Sequence, residues 1–66
     1  MNITVNDQTR QIADGTTIAK LLEELDLRGK YVAVEVNLEL IPRANHEKHK
    51  LAEADRLEIV TLVGGG

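Results

Sequence analysis

No cysteine occurs anywhere in the 66 residues. A disulfide framework, a thiolate metal site and thiol chemistry by the chain's own side chains are therefore excluded. Aromatic residues are almost as scarce, with Tyr31 alone, and the formal charge is -3. Stacking platforms and a cationic surplus are both missing, so no nucleic-acid partner is expected. No apolar run is long enough to cross a bilayer and no basic leader precedes the first alternating residues, which points to a cytoplasmic protein with no membrane partner. Nothing assembles a Ser-His-Asp set or a glycine loop placed ahead of a helix to cradle phosphate.

What is present is the composition of a folded chain: 42% apolar residues, 29% charged residues and one proline, Pro42. The length predicts a single domain over residues 1–63, close to the size at which only about 60% of the unfolded surface is buried on folding. Residues 64–66 are all glycine and are expected to form a flexible tail.

Along the chain, Ile3 and Val5 alternate with Asn2 and Thr4, as in a half-buried strand. Asn6-Asp7 supplies turn residues, and Thr9 to Ala13 reads as a return strand carrying Ile12. Thr16 or Thr17 can cap a helix after Asp14-Gly15, because Ile18, Leu21, Leu22 and Leu25 fall at i, i+3, i+4 and i+7. The adjacent Glu23-Glu24 belongs to its solvated face. Arg28 and Lys30 suit the C-terminal end of that helix and Gly29 can take a left-handed cap.

Tyr31 to Val36 is β-branched and alternating, with Val32, Val34 and Val36 on one side and Ala33 and Glu35 on the other. Asn37 turns the chain, Leu38 to Ile41 can be a short strand, and Pro42 ends its pairing. Arg43 to Lys50 is polar and aperiodic, Leu51 to Ala54 can form a short helical turn, and Arg56 to Val63 is the last strand. Apart from the loose cluster His46-Glu47-Lys48-His49-Lys50, the eight basic residues are scattered. Two imidazoles three apart lack a third metal ligand, so that cluster reads as a solvated polar loop and no metal is expected.

The order ββαββ fits an α+β fold of β-grasp type, a mixed sheet with one main helix packed on one face. In the last strand, Leu57 and Ile59 are assigned to the core. Glu58, Val60 and Leu62 then share the uncovered face, where Val60 and Leu62 form a candidate partner-binding patch. A terminal Gly64-Gly65-Gly66 can thread into a narrow cleft without side-chain clash and reaches roughly 10 Å beyond the fold when extended. Its α-carboxylate is ionised at neutral pH and is a poor electrophile until activated.

These features together resemble the sulfur carrier proteins of thiazole and thiamin biosynthesis, the ThiS proteins, which are ubiquitin-like β-grasp proteins. The resemblance spans essentially the whole chain. It rests on the Asn-containing first turn, Asp14-Gly15-Thr16-Thr17 leading into a Leu-rich helix, Val32 to Asn37, Ile41-Pro42-Arg43, and Asp55 to Val60 running into Val63-Gly64-Gly65-Gly66. Two positions depart from the family pattern: Ala44-Asn45-His46 stands where an aromatic residue often follows the Pro-Arg pair, and Ala54 stands where Gly often precedes the Asp.

The resemblance implies a protein substrate and carrier, not an enzyme, with no bound cofactor. An E1-like adenylyltransferase of ThiF type would use ATP to form an acyl-adenylate at Gly66, with Gly64 and Gly65 threading its active site. A cysteine desulfurase or other persulfide source would convert this to a thiocarboxylate, and a thiazole synthase of ThiG type would take the sulfur. The free chain is expected to be a monomer. Two alternatives stand beside this reading: the same chemistry for another acceptor, as in the small subunit of molybdopterin synthase, and a non-covalent β-grasp binding module working through the Val60 and Leu62 face.

Overall fold

The structure, a computed structural model, describes residues 1–62; Val63 and the expected glycine tail lie outside the described residues. The N-terminal alternation becomes a hairpin in which β1 (Asn2–Val5) pairs antiparallel with β2 (Gln8–Gln11), from Asn2↔Gln11 to Val5↔Gln8. Asn6 and Asp7 both take positive φ, 50° and 69°, as a type I′ turn demands. Ile12 sits just past β2, buried, with its N–H donating to the Met1 carbonyl at 2.8 Å.

Thr17 caps helix α1 (Ile18–Glu24), its hydroxyl oxygen accepting from the Lys20 N–H at 3.1 Å. Ile18, Leu21 and Leu22 are buried as their spacing predicts. The helix ends earlier than the sequence suggests, and Asp26, not Gly29, is the left-handed cap, with φ 60°. The N–H of Asp26 donates to Glu23 O and that of Leu27 to Leu22 O, at 3.1 and 2.8 Å, the paired bonds of a Schellman motif. The physical reason is Leu27, which the reversal returns to pack against the core. Gly29, at φ 82°, serves the turn that follows, and Arg28 and Lys30 lie beyond the helix.

β3 (Val32–Val36) pairs antiparallel with β4 (Glu39–Leu40) through Glu35↔Leu40 and Val36↔Glu39. That register leaves two residues for the turn, so Leu38, expected in the strand, instead sits at φ 70° beside Asn37 at 52°. Leu38 is 90% exposed. A short 3-10 turn over Arg43–Asn45 follows Pro42.

The segment expected to be a solvated loop is docked. The first N–H groups of a helix have no partner within it, and here His49 O accepts from Ile18 N at 3.1 Å and His46 O from Ala19 N at 2.9 Å. His46 is buried at 6% exposure, and its Nε2 lies 3.1 Å from Ile41 O. Leu51 to Ala54 is not helical either. Asp55 N–H donates to Ala52 O at 3.1 Å, closing a turn with Ala54 at φ 71°. Positive φ at its third residue is the mark of a type II turn and favours glycine there.

β5 (Arg56–Thr61) completes a five-stranded sheet of order β2-β1-β5-β3-β4. β5 runs parallel to β1 and antiparallel to β3, so the last strand along the chain is the middle one in space. Helix α1 covers one face, where Ile18 and Leu21 meet Ile3, Val34 and Leu57, each at most 2% exposed. No helix of the described residues is long and apolar enough to cross a membrane.

Candidate functional site

The expected site centres on β5, and two hairpin turns hold this strand from opposite flanks. On the β1 side, backbone pairing at Thr4↔Arg56 and Val5↔Leu57 is extended by a side chain. Asn6 Oδ1 accepts from Ile59 N–H at 2.8 Å while Asn6 Nδ2 donates to Ile59 O at 3.1 Å. The carboxamide thus imitates one more residue of strand. On the β3 side, Asn37 N–H donates to Arg56 O at 2.7 Å and Asn37 Oδ1 accepts from Arg56 N–H at 3.0 Å. Asn37 Nδ2 also donates to Asp55 Oδ1 at 3.0 Å, and Asp55 Oδ2 accepts from Ala52 N–H at 2.8 Å. Asparagine suits both places, since it tolerates positive φ and its amide carries a donor and an acceptor.

Beyond Ile59 the support becomes one-sided. β1 has ended at Val5, whereas β3 continues alongside through Ala33↔Val60 and Val32↔Thr61, and Leu62 N–H donates to Tyr31 O at 2.8 Å. The strand is therefore carried to the edge of the described structure on one flank only. Gly64, Gly65 and Gly66, the residues expected to carry the chemistry, lie outside the described residues.

Alternation places Leu57 and Ile59 in the core and Glu58, Val60 and Leu62 on the face away from the helix, as the sequence predicts. Val60 and Leu62 are 55% and 54% exposed. The register adds residues that the sequence reading did not include. Leu40 lies opposite Glu35 and Glu35 opposite Glu58, and Tyr31 shares the parity of Ala33, so Tyr31 and Leu40 join the same face, both exposed. The β3 alternation held that signal, but only strand order shows that β4 and β5 flank β3. The two carboxylates meet head-on, an arrangement that destabilises a sheet, and neither has a basic partner among the described residues.

A mixed five-stranded sheet with a parallel central pair and one helix across a single face defines a ubiquitin-like β-grasp protein. The family model described as the ThiS family matches residues 3–66, and the chain belongs to that family. It is 35% identical over 66 residues to the sulfur carrier protein ThiS of Escherichia coli (strain K12), covering 100% of both chains. It is also 36% identical over 66 residues to a thiazole synthase of Paramagnetospirillum magneticum, of which it spans only 20% of the length. The crystal structure of a thiamine biosynthesis protein (ThiS) from Geobacter metallireducens superposes with a TM-score of 0.84 at 30% identity, covering 100% of each chain.

Proposed function

We propose that this chain is a sulfur carrier for thiazole formation in thiamin biosynthesis, a protein substrate whose chemistry is performed by other chains. The observation that carries the reading is the end-to-end match to the sulfur carrier of Escherichia coli, in a chain whose glycine terminus follows the central strand of the sheet. A thiazole synthase partner is supported by the thiazole synthase that contains a stretch similar to this whole chain.

The chemistry follows from what a carboxylate lacks. Its oxygen is a competent nucleophile but its carbon is a poor electrophile, so activation comes first. The Gly66 carboxylate attacks the α-phosphorus of ATP held by an E1-like adenylyltransferase, and pyrophosphate leaves. Sulfur delivered from a persulfide then displaces AMP at the carbonyl carbon, and reduction of the resulting acyl disulfide by a thiol leaves the thiocarboxylate. A thiazole synthase receives that sulfur. Glycine at Gly64 and Gly65 admits the tail to a narrow cleft, while Glu58, Val60 and Leu62 dock the partner beside it. No cofactor resides on the carrier; ATP belongs to the adenylating partner.

Intact mass tests the proposal. Incubation with ATP, the cognate adenylyltransferase and a sulfur source is expected to add about 16 Da, the exchange of one oxygen for sulfur at an activated carboxyl. An unchanged mass with a competent partner overturns it, as does full complementation of thiamin auxotrophy by a chain lacking Gly65 and Gly66.

A further inference from the structure

The basic residues, scattered in sequence, are gathered by the fold. Lys20, Arg28, Lys30 and Arg43 line one cleft of about 360 Å³ between α1, the loop that follows it and the 3-10 turn. These are four of the chain's eight basic residues. Among the described residues, Glu23 and Glu47 are the only acidic side chains lining it, so four positive and two negative side chains give this lining a formal charge of +2 within a chain of net -3.

Glu23 already shows what the cleft accepts. Its carboxylate stands between two of the cations, with Oε1 3.5 Å from Lys20 Nζ and Oε2 4.0 Å from Arg28 Nη1. Lys30 has no ion-pair partner among the described residues, and the Arg43 guanidinium rests 5.6 Å from the centroid of the Tyr31 ring. At the wall of the cleft lies His46, 94% buried by its 6% exposure. A carbonyl can only accept, so the contact with Ile41 O puts the proton on Nε2. Nδ1 has no partner among the described residues and, since no buried side-chain polar atom there is unsatisfied, it retains contact with solvent. A buried ring is thus held in one orientation at the wall of the cleft by one nitrogen.

We propose that this cleft binds a phosphate-type dianion, either inorganic phosphate or the phosphate group of a small phosphomonoester. A tetrahedral dianion carries twice the charge of a carboxylate and presents its oxygens out of a single plane, which suits donors arriving from three different chain segments, and guanidinium forks match it in geometry. The cleft adjoins Val32, which pairs with Thr61, so the ligand would lie near the end of β5 that is paired on one flank only, on the helix side. The proposal is independent of the carrier reading, and neither fails with the other.

The test is a titration of isotope-labelled full-length protein, followed through its backbone amides and the His46 ring, with inorganic phosphate, with glycerol phosphate, and with sodium chloride at matched ionic strength. Saturable shifts at Gly29, Lys30, Arg43 and His46 are expected with the two phosphates and not with chloride. The double variant Lys30→Ala, Arg43→Ala removes two exposed side chains and is expected to weaken binding about fivefold while leaving the remaining spectrum in place. Exchanging the same residues as Lys30→Arg, Arg43→Lys keeps the charge and is expected to keep binding. Tighter binding of the ester assigns a phosphorylated small molecule, and equal binding assigns recognition of the phosphate group alone. Shifts that chloride reproduces, or an affinity the alanine variant leaves unchanged, overturn the proposal.

Discussion

The two ends of β5 belong to one strand and live in different surroundings. Arg56 to Ile59 is paired or clamped on both flanks, with Leu57 and Ile59 in the core, whereas Val60 to Leu62 is paired with β3 alone and all three residues are exposed. The difference separates anchoring from presentation. A strand wholly sunk in the sheet could offer nothing to a partner, and one wholly free could not hold its position; here the change falls within a single residue step, where the Asn6 carboxamide ends the β1 ladder.

The comparison is broken most severely from the anchored end. Leu57→Ala removes a side chain that is 2% exposed and is expected to cost about 2–5 kcal/mol, enough to leave so small a domain largely unfolded, which circular dichroism and a urea titration would register. Asn6→Ala strips Ile59 of both side-chain hydrogen bonds and is expected to cost about 1–2 kcal/mol. Hydrogen exchange at Ile59 would quicken more than at Val34, and equal changes at both would show that the clamp is not local. Ala54→Gly and Leu38→Gly, at φ 71° and 70°, should each raise stability by about 0.5–1 kcal/mol by relieving left-handed strain. A lower urea midpoint for either would contradict the turn geometry. Smallest in stability are Val60→Ser and Leu62→Ser, expected to stay within about 0.5 kcal/mol of the parent while slowing thiocarboxylate formation. Wild-type transfer rates from both variants would remove the patch from the docking surface.

Much of this was legible in the sequence because alternation and helical spacing are local signals. Ile3, Val34, Leu57 and the buried face of α1 follow directly from them, as does the outward side of β5 with Glu58, Val60 and Leu62. What periodicity does not record is chain reversal by residues other than glycine. Asp26, Leu38 and Ala54 all take positive φ, and each displaced an expected element boundary or replaced an expected helical turn. His46 was equally hidden: a polar stretch looks solvated until the fold brings a helix start whose N–H groups need its carbonyls. The basic cleft was invisible for the same reason, since it joins residues from α1 to the 3-10 turn that share no sequence spacing.

The position of β5 also sets which contacts the sheet needs to be complete. The strand made last is the one that bridges the β1–β2 and β3–β4 hairpins, and its contacts with β1 join residues about fifty positions apart, such as Thr4 with Asp55 and Asn6 with Ile59. Such distant closures come late and slowly, and two-stranded hairpins alone are marginal in water. A chain interrupted before Arg56 therefore has no finished sheet. The middle position of β5 thus makes one strand the keystone of the sheet: the two hairpins share no edge with each other, and each is held in the fold by the strand between them.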